Sequence, residues 1–147
     1  MYGTANGVSA LLPGVGLDYN STPDAPDVET WLGEGAAEID VALSSAGYVV
    51  PVTQGAIVYK RLAALNNLYA AAYALRARGL DVLIGESEMR SDVWLREFRE
   101  GLAALSASDL TGAGVSQREI VGQPRRHVRT IQMRRVDGYS NGYGVTE

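Results

Sequence analysis

The sequence predicts a mainly α protein: a four-helix domain over residues 1–106, followed by an extended, β-type C-terminal arm over residues 107–147. Three observations carry that prediction. Apolar side chains recur every three or four residues through stretches long enough for helices. Those stretches open on capping residues and close on glycine. At Ala107 the composition turns to Gly, Ser and Thr, and further on to β-branched residues set among arginines. At 147 residues the chain can bury a real hydrophobic core as one domain.

A short first helix begins on Thr4 or Asn6 as its cap and stops before Pro13-Gly14, because proline lacks the helical donor. "GVGLDYNSTPDAPD" reads as a loop by its Gly, Asn and Pro content. The second helix is expected to start on Asp24, with Pro26 in the first turn and Asp27 and Glu29 near the positive end of its dipole. Val28, Trp31, Leu32, Gly35, Ile39, Ala42, Leu43 and Ala46 form its apolar stripe, and Gly47 is its left-handed stop. Pro51 makes "YVVPV" extended, covering one end of the core.

A third helix is expected from a Thr53 cap to about Arg78, stopped by Gly79, with Val58, Leu62, Leu65, Tyr69, Ala72 and Leu75 inward. Its alanines (Ala70, Ala71, Ala72, Ala74 and Ala77) would let another helix approach closely. Alanine's high helix propensity is the simpler reading of the run. "GLDVLIGESEMRS" is a connection with some extended character, and Ser91 is expected to cap the fourth helix, which ends near Ser106. Trp94, Leu95, Phe98, Leu102 and Leu105 face inward there, with Arg96, Glu97, Arg99 and Glu100 outward. The expected core is Val28, Trp31, Leu32, Ile39, Leu43, Leu62, Leu65, Leu68, Trp94, Leu95, Phe98 and Leu102.

The arm has a short strand signal at 119–121, a longer one in "RRHVRTIQMRRV", and a two-residue turn at Asp137-Gly138. Ile131 and Met133 share a strand face with Arg129 and Arg135, while Val128, Thr130 and Val136 share the other with Arg134. A strand packed on its own core alternates more cleanly. This one fits a projecting ribbon whose second face is covered by another chain.

Chemistry finds little support. The chain has no cysteine, and its one histidine, His127, sits among arginines that disfavour its protonated form. No His pair or H-E-x-x-H run exists, so no metal site is expected. Glu34 and Glu38 share a helical face, but without a histidine or a second carboxylate helix they read with Asp40 as a solvated acidic surface. "GEGAAE" lies mid-helix without the Gly-Lys-Ser/Thr ending of a phosphate loop, and no serine stands in a G-x-S-x-G elbow. An enzyme is not expected, nor a catalytic residue or cofactor. The longest apolar run falls far short of the about 20 residues of a spanning helix, and "MYGTANGVSALLPG" lacks the basic start of a signal peptide. A soluble protein made in the cytoplasm, without a membrane partner, is the expectation.

The net charge of -4 is unevenly spread. Residues 118–147 carry six arginines against Glu119, Asp137 and Glu147, a balance of +3, whereas residues 1–117 carry seven basic and fourteen acidic side chains, a balance of -7. A basic tail on an acidic body implies a negative partner. Nucleic-acid binders interleave aromatics with their basic residues, whereas Tyr139 and Tyr143 follow the arginines here. Arginine also forks onto carboxylates across protein interfaces. The expected partner-binding residues are therefore Arg125, Arg126, Arg129, Arg134 and Arg135, with Tyr139 and Tyr143 as aromatic anchors. A small nucleic-acid-binding protein using this tail is the alternative, and a ligand-binding helical bundle is a further rival.

One longer pattern stands out: W-L-x-x-x-A-x-E-I-D-x-x-L-x-x-x-G-Y-x-x-P-V, through Trp31, Leu32, Ala36, Glu38, Ile39, Asp40, Leu43, Gly47, Tyr48, Pro51 and Val52. It resembles the signature of head–tail connector (adaptor) proteins of tailed bacteriophages. "YAAAYALRARG" at 69–79 resembles the alanine-rich helix that follows in that family, and the likeness covers roughly residues 4–105. The resemblance implies a structural protein of the virion neck, between head and tail. It would form a ring of its own copies, commonly twelve, beneath the portal protein. That ring would extend the DNA channel, pass DNA without reading its sequence, and dock a tail-side connector or stopper protein. Charge adds a further expectation: an acidic channel wall that includes Glu34, Glu38 and Asp40 would let DNA slide without sticking, because like charges repel.

Overall fold

The computed structural model describes residues 1–17, 20–84 and 88–118. These form four α-helices: α1 (Ala5–Leu11), α2 (Ala25–Ser45), α3 (Tyr59–Arg78) and α4 (Arg90–Ala107). A two-residue pair, β1 (Leu83–Ile84) and β2 (Glu88–Met89), joins α3 to α4 with Leu83 opposite Met89. The mainly helical reading of the sequence holds. No helix among the described residues is long and apolar enough to cross a membrane.

Local signals explain most helix ends. Thr4 Oγ1 accepts the Gly7 N–H at the start of α1. Asp24 and Asp27 cap each other's backbone N–H groups at the start of α2, so two donors that the helix leaves open are satisfied together. Gly47 (φ 91°) and Gly79 (φ 65°) take the left-handed turns after α2 and α3, where a side chain would be strained.

Two expected starts move. Residues 53–58 make turns rather than helix, because the Ile57 N–H donates to the Ala113 carbonyl (3.0 Å); α3 therefore opens at Tyr59, not after Thr53. Ser91 is not the cap of α4 but a buried first-turn residue. Asp81, in the preceding connection, accepts its N–H (3.0 Å) and its hydroxyl, and the Arg76 Nε–H donates to Ser91 Oγ (2.9 Å).

Helix α3 is central and packs against α1, α2 and α4. At one end, Val8, Leu12, Val28 and Leu32 enclose Ala70, Ala71, Ala74 and Leu75. Around the middle and the other end, Ile39, Leu43, Tyr48, Leu62, Leu65, Tyr69, Leu95, Phe98 and Leu102 form the larger core. Four of the five alanines are fully buried at these helix contacts, and only Ala77 is exposed. Close approach, not propensity alone, explains the run. Gly35 serves the same purpose on α2: a Cβ there would lie 2.6 Å from Asn66 Oδ1 and 2.9 Å from Tyr69 Cδ1.

The expected core is buried except for Trp31, Leu68 and Trp94, which are half-buried at its margin. Ala46, placed on the α2 stripe, is exposed, while Ala36 is buried. Residues 107–118, assigned by composition to the arm, lie on the helical body: Leu110 and Val115 belong to the main core. The backbone at 116–118 pairs antiparallel with 47–49, through Val49 N–H to Ser116 O and Arg118 N–H to Gly47 O (both 2.8 Å). Apolar burial, not strand propensity, holds this segment.

Candidate functional site

The expected partner residues Arg125, Arg126, Arg129, Arg134, Arg135, Tyr139 and Tyr143 lie outside the described residues, as do His127 and the strand and turn expected around them. The body that they would leave from does carry distinctive surfaces.

The first is built on α2 and α3. Spacing of three and four residues puts Trp31, Glu34 and Glu38 along one edge of α2, with Trp31 half-buried and both glutamates exposed. Beside them, Tyr69 and Tyr73 lie one turn apart on α3. The Trp31 and Tyr73 rings stack at 6.2 Å and 25°. Tyr73 meets Tyr69 at 4.9 Å, and Tyr69 meets Phe98 of α4 at 5.1 Å. An aromatic ladder thus runs from the core outward to a half-open edge. The Arg76 guanidinium sits 5.8 Å from the centre of the Tyr73 ring, a cation on the electron-rich face of an aromatic.

The electrostatics of this edge are negative. The Tyr69 hydroxyl donates to Glu38 Oε1 (3.4 Å). Burial, then the Tyr73 hydroxyl beside it and the Glu38 and Glu34 carboxylates, pushes the Tyr69 hydroxyl well above the ordinary tyrosine value. Neither Glu34 nor Glu38 has an ion-pair partner among the described residues. Asp40, grouped with them by sequence, is set apart: it accepts the Tyr2 hydroxyl, which in turn accepts the Val52 N–H (3.0 Å). Asp40 is a fold tie, half-buried against the buried Tyr2.

The residues of the longer sequence pattern are mostly structural. Tyr48 Oη donates to the Ser108 carbonyl (2.7 Å) and accepts the buried Leu110 N–H (3.1 Å), pinning the chain after α4 onto the α2–α3 turn. Ala36, Ile39, Leu43 and Val52 are core.

Two further features mark the surface. A groove of about 360 Å³ between α3 and α4 is lined by Leu65, Leu68, Gly101 and Ala104, with Arg61 and Glu97 in its walls. Large apolar side chains stand exposed at both ends of the body: Val41 (67%), Val49 and Ile57 (79%) towards one, and Leu80, Val82, Leu83 (60%) and Met89 at the other. No group of three or more His, Cys, Asp or Glu among the described residues could hold a metal ion.

The fold and surfaces define a small, mainly helical body around α3, with an acidic–aromatic edge and apolar ends. Compared with protein-family models, curated proteins and solved structures, the chain finds no match. Sequence reasoning missed Tyr73 as a surface residue and placed Trp31 in the core. The i, i+4 spacing of Tyr69 and Tyr73 was the available signal.

Proposed function

We propose that this chain is a structural subunit that closes into a ring, as a head–tail connector of a tailed bacteriophage does. It would sit beneath a portal, extend the channel for DNA, and offer its far side to a tail-side component. One observation carries the reading: exposed apolar side chains at two separate ends of one small body. Val41, Val49 and Ile57 are separated from Leu80, Val82, Leu83 and Met89 by the length of α3, about 30 Å at about 1.5 Å per residue. Two unlike surfaces on one subunit are what a head-to-tail, closed ring requires. Contiguous apolar patches mark interaction sites in soluble proteins, and each of these groups would be covered by a neighbouring copy in such a ring.

The sequence likeness supports the same reading. Residues Ala36, Ile39, Leu43, Tyr48 and Val52 of the connector-like pattern build the α2–α3 corner here. A subunit whose connector-like pattern lies in its frame rather than in a reactive site suits an assembly protein.

Light scattering and electron microscopy of the purified chain, alone and mixed with portal rings, test the proposal. The expected result is a ring of uniform copy number that binds portals. A strict monomer at high concentration that ignores portals would overturn it. Salt-sensitive binding to bare DNA by that monomer would favour the nucleic-acid alternative, through the basic tail.

A further inference from the structure

Resting on the ring reading above, we infer that the acidic–aromatic edge of α2 and α3 receives the arginine-rich segment 125–136 of a neighbouring copy. The acceptor is Trp31, Glu34, Glu38 and Tyr73; the donors are Arg129 and Arg135, which fall on one face of the expected strand.

Charge complementarity identifies the occupant. The edge has two exposed carboxylates with no ion-pair partner among the described residues, and the tail is the basic part of the chain. A guanidinium can lie flat on an aromatic face while its N–H fork engages a carboxylate. Trp31 and Tyr73, stacked beside Glu34 and Glu38, offer both halves of that recognition. Arg76 over Tyr73 already shows an arginine held on this ladder within the fold.

The α3–α4 groove is the competing acceptor and fits less well. Its lining holds Arg61 with no ion-pair partner among the described residues, Glu97 likewise unpaired, Glu100 3.9 Å from Arg96, and no aromatic ring. A cationic strand would meet an uncompensated like charge there and one free carboxylate instead of two, whereas Arg76 on the chosen edge is already held by Asp92.

Reach allows either the chain's own body or a second copy, and the residue pattern selects the second copy. Arg118 leaves the described fold beside Gly47, at the C-terminal end of α2. The eleven residues from there to Arg129 span up to about 36–40 Å when extended, beyond the about 20 Å back along α2 to Glu34 and enough to cross to a neighbour. If extended as its residue pattern suggests, the segment would carry apolar residues and arginines on both faces. One surface edge covers one face, so a strand confined to its own subunit would leave the other open, whereas one crossing between two copies is covered on both. Glu34 and Glu38 then lie between subunits rather than on the channel wall.

The experiment uses the full chain in two charge-reversed forms: E34R/E38R on the edge, and R129E/R135E on the tail. The edge positions are exposed, so helicity by circular dichroism should be unchanged. Each variant alone is expected to self-associate roughly tenfold or more weakly than the parent, as like charges now face each other. An equimolar mixture should regain assembly, since each edge then meets a tail of opposite sign. If the parent assembles and E34R/E38R assembles equally well, or if the mixture stays apart, the inference is overturned while the ring reading stands. If the parent itself stays monomeric, the ring reading fails and this inference with it.

Discussion

Gly35 sits midway along a helix, where glycine costs about 1 kcal/mol against alanine. Its neighbours explain its presence. A Cβ would press on the fully buried Asn66 and on the Tyr69 ring, and overpacking of a closed core costs about 1–3 kcal/mol. The clash should outweigh the propensity gain, so Gly35→Ala is expected to lower the melting temperature by a few degrees. Asn66→Ala in the same chain should recover part of that loss in a double-mutant cycle, because the Asn66 carboxamide is the nearest obstacle and has no hydrogen-bond partner among the described residues. Tyr2 makes a second test at this scale. Burial first, then its hydrogen bond to Asp40, raises its hydroxyl above the ordinary tyrosine value, as happens to Tyr69. The unfolded chain ionises near pH 10 while the folded one still holds its protons. The stabilisation is therefore complete below pH about 10 and is lost as pH rises beyond it. Thermal melts from neutral to strongly alkaline pH should show a steep fall there, flattened in Tyr2→Phe.

At the level of elements, the segment after α4 is the instructive one. Its Gly and Ser content resembles a linker, yet Leu110 and Val115 are buried and Tyr48 grips Ser108 and Leu110. Fully burying an aliphatic side chain is worth about 1.5–3 kcal/mol. A chain ending at residue 118 should thus melt cooperatively near the full-length temperature, whereas one ending at 107 should lose roughly 3–6 kcal/mol or fail to fold. Tyr48→Phe should cost about 1–3 kcal/mol, since it leaves the buried Leu110 N–H without its acceptor; faster amide exchange at Leu110 would report it. The start of α4 carries a related lesson. Ser91 has the residue type of a cap, but Asp81 reaches its N–H from ten residues back in the connection. No local pattern encodes that pairing.

For the whole molecule, the balance of -7 on residues 1–117 against +3 on residues 118–147 becomes a statement about assembly. If tails dock on neighbouring acidic edges, self-association should weaken as salt rises from about 0.15 to 1 M, where the screening length drops from about 8 to 3 Å. An assembly held only by the apolar ends would strengthen or stay level instead. Sedimentation across that range separates the two. Ile57→Asp, at the most exposed large apolar side chain among the described residues, should weaken assembly without altering the monomer's melt.

Several features were legible from residue order alone. The Asp24 cap, the glycine stops at 47 and 79, and the inward stripes of α3 and α4 rest on contacts within a few residues, which sequence spacing encodes directly. Others were decided only when the helices met. Whether the alanines of α3 are surface or seam, why Gly35 is a glycine, where α3 begins, and that Asp40 parts from Glu34 and Glu38 all depend on partners 30 or more residues away. A one-dimensional pattern fixes which face of a helix turns inward; it takes three-dimensional packing to choose what that face meets, and so to leave Trp31 and Tyr73 at the open edge.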